Sequence, residues 1–163
     1  MKVYMPLNTL DSRNKYLYNL YTCLKNLDIN LSIDKNYWLK MEGDWDIILI
    51  HWPEHLPFIK KDKIPFEKFQ LDRIKYFKAR SKFISIYHNF KPHGYLNNYR
   101  KLYRNIYTNS DAIIHFSNFS INSIKKKYQF KNCSHYVVPH GNYSDNFKPI
   151  NKNLAKKRLG LSI

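Results

Sequence analysis

Six short apolar runs, each ending in polar side chains and separated by amphipathic stretches, set the fold this chain can adopt. They cover residues 2–5, 29–33, 46–50, 83–87, 111–116 and 135–138. The third, Ile47-Ile48-Leu49-Ile50, is continuously apolar, as a strand buried on both faces must be. Between the runs the apolar period changes to that of a helix. Residues 13–27 place Leu17, Leu20, Tyr21, Leu24 and Leu27 on one face, with Asp11 or Ser12 as cap. Residues 65–80 carry Phe66, Phe69, Ile74 and Phe77 inward, with Pro65 in the first turn. Residues 96–107 do the same with Tyr99, Leu102, Tyr103 and Ile106. A helix capped by Ser117 or Asn118 carries Ile121, Ile124 and Tyr128. Strands alternating with helices of this length predict an α/β fold: a Rossmann-like, doubly wound parallel sheet with helices on both faces. Residues 1–150 read as this domain. Residues 151–163, with a short helix over 154–159 capped by Asn153 and ended by Gly160, read as the start of a linker.

Composition narrows the class. At 163 residues, 44% apolar and 17% aromatic, the chain suits one folded domain and excludes disorder. Cys23 and Cys133 have no CxxC or metal-ligand spacing and read as two free thiols. The first residues lack a signal-peptide core, and no window approaches the roughly 18 apolar residues of a membrane span. The net charge of +16 and pI near 9.8 admit nucleic acid, an anionic membrane surface or anionic small ligands. A solvated lysine-rich surface accounts for the charge as well, because the basic residues are scattered rather than gathered into one helix. Tyr99-Arg100-Lys101-Leu102-Tyr103-Arg104 offers rings beside cations, as base stacking would need. Its tyrosines nevertheless fall at core spacing, which argues against nucleic acid. The same helix can instead present Arg100, Lys101 and Arg104 to a membrane while its apolar face packs inward.

The polar strand ends point to a site. His51-Trp52, His88-Asn89, Ser117-Asn118 and His140-Gly141 each follow a predicted strand. In a parallel sheet all four would meet at the C-terminal edge, where such folds bind ligands. His88 suits proton transfer or hydrogen bonding to an anionic oxygen. Gly141 would let backbone approach a ligand beside His140, and Ser117 would either cap a helix or offer its N-terminus to a phosphate. His51-Trp52-Pro53-Glu54-His55 has the form H-x-x-E-H, but that zinc chemistry needs a helix. A preceding strand, Pro53 and Pro57 deny one here, so no metal is expected. No Walker A loop and no GxGxxG occurs.

Five segments together resemble the N-terminal domain of group 1 (family 4-like) glycosyltransferases of the GT-B fold. They are Asp46-Ile47-Ile48-Leu49-Ile50-His51-Trp52-Pro53, Ser85-Ile86-Tyr87-His88-Asn89-Phe90-Lys91-Pro92-His93, Asn109-Ser110-Asp111-Ala112-Ile113-Ile114-His115-Phe116-Ser117, Val137-Val138-Pro139-His140-Gly141-Asn142-Tyr143 and Ala155-Lys156-Lys157-Arg158-Leu159-Gly160-Leu161. The ordered set spans nearly the whole chain. The resemblance implies the acceptor-binding half of an enzyme that transfers a sugar from a nucleotide-sugar donor, in polysaccharide or glycolipid synthesis. It implies His88 as the catalytic residue, with Asn89, His93, His140 and Gly141 lining the same cleft, and the strand-end reading adds His51, Trp52 and Ser117 to the substrate site. It implies no cofactor beyond the nucleotide-sugar substrate. It further implies a lipid-linked or saccharide acceptor, a cytoplasmic place at the inner face of a membrane, and a C-terminal donor-binding domain to complete the enzyme, either as the continuation of a longer protein or on a partner chain. A basic nucleic-acid-binding module and a non-catalytic α/β interaction module are the competing expectations.

Overall fold

The computed structural model describes residues 1–8, 10, 14–59, 65–89, 91, 99–141 and 149–162. Six strands form one all-parallel sheet: β1 (Lys2–Tyr4), β2 (Asn30–Ser32), β3 (Ile47–Ile50), β4 (Lys82–Tyr87), β5 (Ala112–His115) and β6 (Ser134–Val137). Their order is β2-β1-β3-β4-β5-β6. The chain thus steps outward from β1 to β2, crosses back over β1 to β3, and then proceeds one way to β6. The helices are α1 (Lys15–Asn26), α2 (Lys35–Lys40), α3 (Phe66–Lys78), α4 (Tyr99–Asn109), α5 (Asn118–Lys127) and α6 (Lys152–Arg158). Right-handed crossovers put α1 on one face of the sheet and α2 to α5 on the other.

Strand alternation divides the core accordingly. Val3, Met5, Leu49 and Ile86 pack with Leu17, Leu20 and Leu24 of α1. Tyr4, Ile48, Phe83 and Ile113 pack with Trp38, Phe77, Leu102, Ile106 and Ile124 of the other helices. A fully buried Ile48 or Leu102 contributes about 2 kcal/mol through removal from water.

Two aspartates tie the strand starts. The Asp46 carboxylate accepts the Lys2 N–H at 2.7 Å, and that of Asp111 accepts the Phe83 N–H at 2.8 Å. Lys78 and Lys82 also pair with Asp111. Burial alone would raise the Asp111 pKa, but the bonds from Lys78 and Phe83 and the lysine charges leave it lowered. This bonding fixes the edge opposite the histidines.

Several boundaries differ from the sequence reading. Asn14 caps α1 by accepting the Leu17 N–H, and Leu27 lies past the helix end, 69% exposed. Residues 11–13 and 96–98 lie outside the described residues, so caps and turns expected there are not placed. Asn151, not Asn153, caps α6, accepting the Asn153 N–H at 2.8 Å. Gly160 ends that helix at φ +67, as a left-handed stop requires. The helix α2 was not expected at all. It anchors through Trp38, whose indole N–H donates to Gln70 at 2.7 Å. No described helix is long and apolar enough to cross a membrane.

Candidate functional site at the C-terminal edge

Each strand delivers its next residues to one edge. β3 ends in His51 and Trp52, β4 in His88 and Asn89, β5 in Phe116, and β6 leads to His140. Parity explains why the rings meet. Leu49, Ile84, Ile86 and Ile114 lie on the α1 face, and His51, His88 and Phe116 continue that alternation. Helix α1 is the element that follows β1, starting at Lys15, and its first turn also sits at this edge. That turn contributes Tyr16.

Tyr16 is the centre of the cluster. Its ring stacks on His51 at 4.9 Å and lies 4.7 Å from His140, 5.8 Å from His88 and 5.8 Å from Phe116. His51 and His88 approach edge to face at 5.2 Å, and Trp52 stands 4.0 Å from His51 and 5.4 Å from His88. Phe116 closes the far side against His88 at 5.3 Å and His140 at 5.1 Å.

The three imidazoles differ in their hydrogen-bond surroundings. His51 is 2% exposed, and among the described residues neither of its ring nitrogens has a hydrogen-bond partner. Burial, reinforced by His88, His55 and His140, pulls its pKa down to about 3. It is therefore neutral at physiological pH, with one donor and one acceptor unused. The His88 Nδ1 lies 3.1 Å from the Asn89 side-chain oxygen. An amide oxygen only accepts, so Nδ1 is the donor of this bond. His140 Nδ1 donates in the same way to the Gly141 carbonyl at 2.8 Å.

Beside this cluster a cavity of about 740 Å³ opens between the ends of β1 and β3. Asn8, Asn14, Trp52, Glu54 and Phe58 line it. This is the point where strand order reverses, and parallel sheets leave a crevice there. Trp52 forms the wall shared by cavity and cluster. The loop after β3 is held from the other side, since the Tyr103 hydroxyl donates to Glu54 Oε2 at 2.5 Å. Burial and that bond raise the Tyr103 pKa far above its ordinary value, so the phenol stays a donor.

Of the expected site residues, His51, Trp52, His88 and His140 converge, and Asn89 orients His88. Ser117 does not join them. It is exposed, and its hydroxyl accepts the Ser120 N–H as the α5 cap. A Cβ at Gly141 would meet nothing within 4 Å among the described residues, so packing there does not require glycine. His93 lies outside the described residues. The H-x-x-E-H phrase falls on a strand end and a 3-10 turn (Pro53–His55), with His51 buried and His55 exposed. No group of three or more metal-ligating side chains occurs among the described residues.

Tyr16 and Phe116 escaped the sequence reading, although the start of α1 and the strand parity both point to this edge. His115 escaped it as well. It is fully buried on the opposite sheet face, with Nε2 2.9 Å from His135 Nδ1, and burial first and His135 second lower its pKa to about 4. It belongs to the core rather than to the cleft. No family model, curated protein or solved structure matches the chain.

Proposed function

We propose that this chain is the acceptor-binding half of a glycosyltransferase that draws on a nucleotide-sugar donor. The observation that carries the proposal is the convergence of His51, His88 and His140, from three strands, around Tyr16 beside the crevice at the strand-order reversal. Aromatic faces with a few inward polar groups suit a saccharide, which presents apolar ring faces and hydroxyls together. The neutral His51 ring, whose nitrogens have no hydrogen-bond partner among the described residues, would take one hydroxyl as donor and another as acceptor. His88, held by Asn89, would be the base. The acceptor hydroxyl oxygen forms the bond to the anomeric carbon, the bond from that carbon to the nucleoside diphosphate breaks, and the hydroxyl proton passes to His88 Nε2. No metal takes part in this reading. The donor would be held mainly by a second, donor-binding domain. The reading places the protein in the cytoplasm, at the inner face of a membrane.

The test is thermal protection by acceptor and donor candidates: oligosaccharides, lipid-linked saccharides and nucleotide sugars. A ligand at a hundred times its Kd stabilises by ~2.7 kcal/mol, or about 5–10 °C for a chain of this size. The proposal expects an acceptor saccharide to protect wild type and not H88A. Protection by none of them, or equal protection of H88A, overturns it.

A further inference from the structure

Folding gathers cations that the sequence scatters. Helices α4 and α5 lie side by side on one face of the sheet. Between them runs a groove of about 1070 Å³, rimmed by Arg100, Lys101 and Arg104 from α4 and by Lys125, Lys126 and Lys127 from α5. No carboxylate lines it among the described residues. Neither helix contains an acidic residue, and Asp111 between them is engaged with Lys78 and Lys82. Burial lowers the Lys127 pKa, and the nearby Arg100 and Lys91 lower it further, which marks how crowded the positive charge is.

Two features decide the kind of partner. The one aromatic side chain lining the groove among the described residues, Tyr128, is 9% exposed, so the groove itself offers no open ring for base stacking. On the outward side of α5, in line with Asn122 and Lys126, Phe119 stands 81% exposed. An exposed aromatic on the same helix face as a member of the cation cluster is the composition of a membrane-docking surface.

We propose that the outward faces of α4 and α5 dock on an anionic bilayer, their cations meeting headgroup phosphates and Phe119 entering the headgroup–acyl boundary. Phe119 lies at the end of α5 that starts from the histidine edge, so the bilayer would adjoin the cleft. Only that last consequence, delivery of a lipid-linked acceptor, rests on the glycosyltransferase reading.

The test is co-sedimentation of the full chain with vesicles of phosphatidylcholine alone and of equimolar phosphatidylcholine and phosphatidylglycerol. Wild type should bind the mixed vesicles, and added salt should weaken binding. Neutralising three cations in R100Q/R104Q/K126Q should weaken it roughly 100-fold, at ~1 kcal/mol per cation. F119S should weaken it as well. The charge-matched variant K25Q/K40Q/K152Q, altered at exposed sites elsewhere, should bind as wild type does, and so should H88A. Circular dichroism checks that each variant is folded. Equal binding to both vesicle types, unchanged binding by R100Q/R104Q/K126Q, or an equal loss in the charge-matched variant overturns the proposal. Salt-steep RNA binding lost in R100Q/R104Q/K126Q, with no vesicle binding by wild type, would overturn it in favour of a polynucleotide groove. Because the assay involves no sugar and H88A is a control, an empty cleft and a failed docking surface give different results.

Discussion

Replacing His51 with phenylalanine should make the folded chain less sensitive to acid while abolishing ligand binding. The ring is 2% exposed, and its pKa falls from 6.5 to about 3 on folding. Between those values the unfolded chain holds a proton on His51 that the folded chain does not, so stability is full above pH 6.5 and declines as pH falls toward about 3. Each unit in that window costs about 1.4 kcal/mol, so lowering the pH from 6.5 to 4.5 costs ~2.7 kcal/mol at this residue alone. His115 and His135, whose pKa values are also lowered, titrate in both proteins and cancel in the comparison. At pH 7 the substitution removes a buried ring whose two nitrogens have no hydrogen-bond partner among the described residues, a burden of about 1–3 kcal/mol. Phenylalanine keeps the aromatic contacts with Tyr16 and Trp52. The expected result is stability equal to wild type or higher by ~1 kcal/mol at pH 7, with the difference widening by ~2.7 kcal/mol at pH 4.5. Urea denaturation at the two pH values measures it. Parallel loss of stability in wild type and H51F would refute the reasoning, because it would mean that His51 is protonated in the fold or hydrated.

Two further perturbations test the parts around it. Tyr16→Ala removes the ring that covers His51, which should cost about 1–3 kcal/mol of stability and move the His51 pKa up from about 3 toward 6.5, read by NMR titration. Tyr103→Phe deletes the hydroxyl that donates to Glu54; a loss of about 1.5–3 kcal/mol in urea denaturation is expected, and an unchanged midpoint would show that the loop after β3 is held by other contacts.

The sheet was legible because its strands are short apolar runs buried on two faces, and because helical spacing between them leaves little choice but parallel crossovers. What sequence could not supply was the third dimension of each boundary. Asp46 and Asp111 read as strand residues, yet each lies one position before its strand, where its carboxylate ties the neighbouring strand. Helix α2 has six residues and one buried anchor, Trp38, too few for a period to emerge. Three histidines at strand ends were visible, and strand parity brings them together. The same argument extended one residue further would have favoured Phe116 over Ser117, since Phe116 shares the face of Ile114 while Ser117 turns to cap α5. Tyr16 needed the strand order itself, because only β1 at the reversal point carries the start of α1 to the histidines.

The most direct test of the account observes the imidazoles themselves. The chain has seven histidines, and long-range proton–nitrogen NMR resolves the ring nitrogens of each. On addition of an acceptor saccharide that protects the protein, the account predicts movement of the His51 and His88 signals while those of the pair His115 and His135, on the opposite sheet face, stay in place. Binding that leaves His51 and His88 unmoved, or that shifts only His115 and His135, would contradict the claim that the ring cluster around Tyr16 is the site.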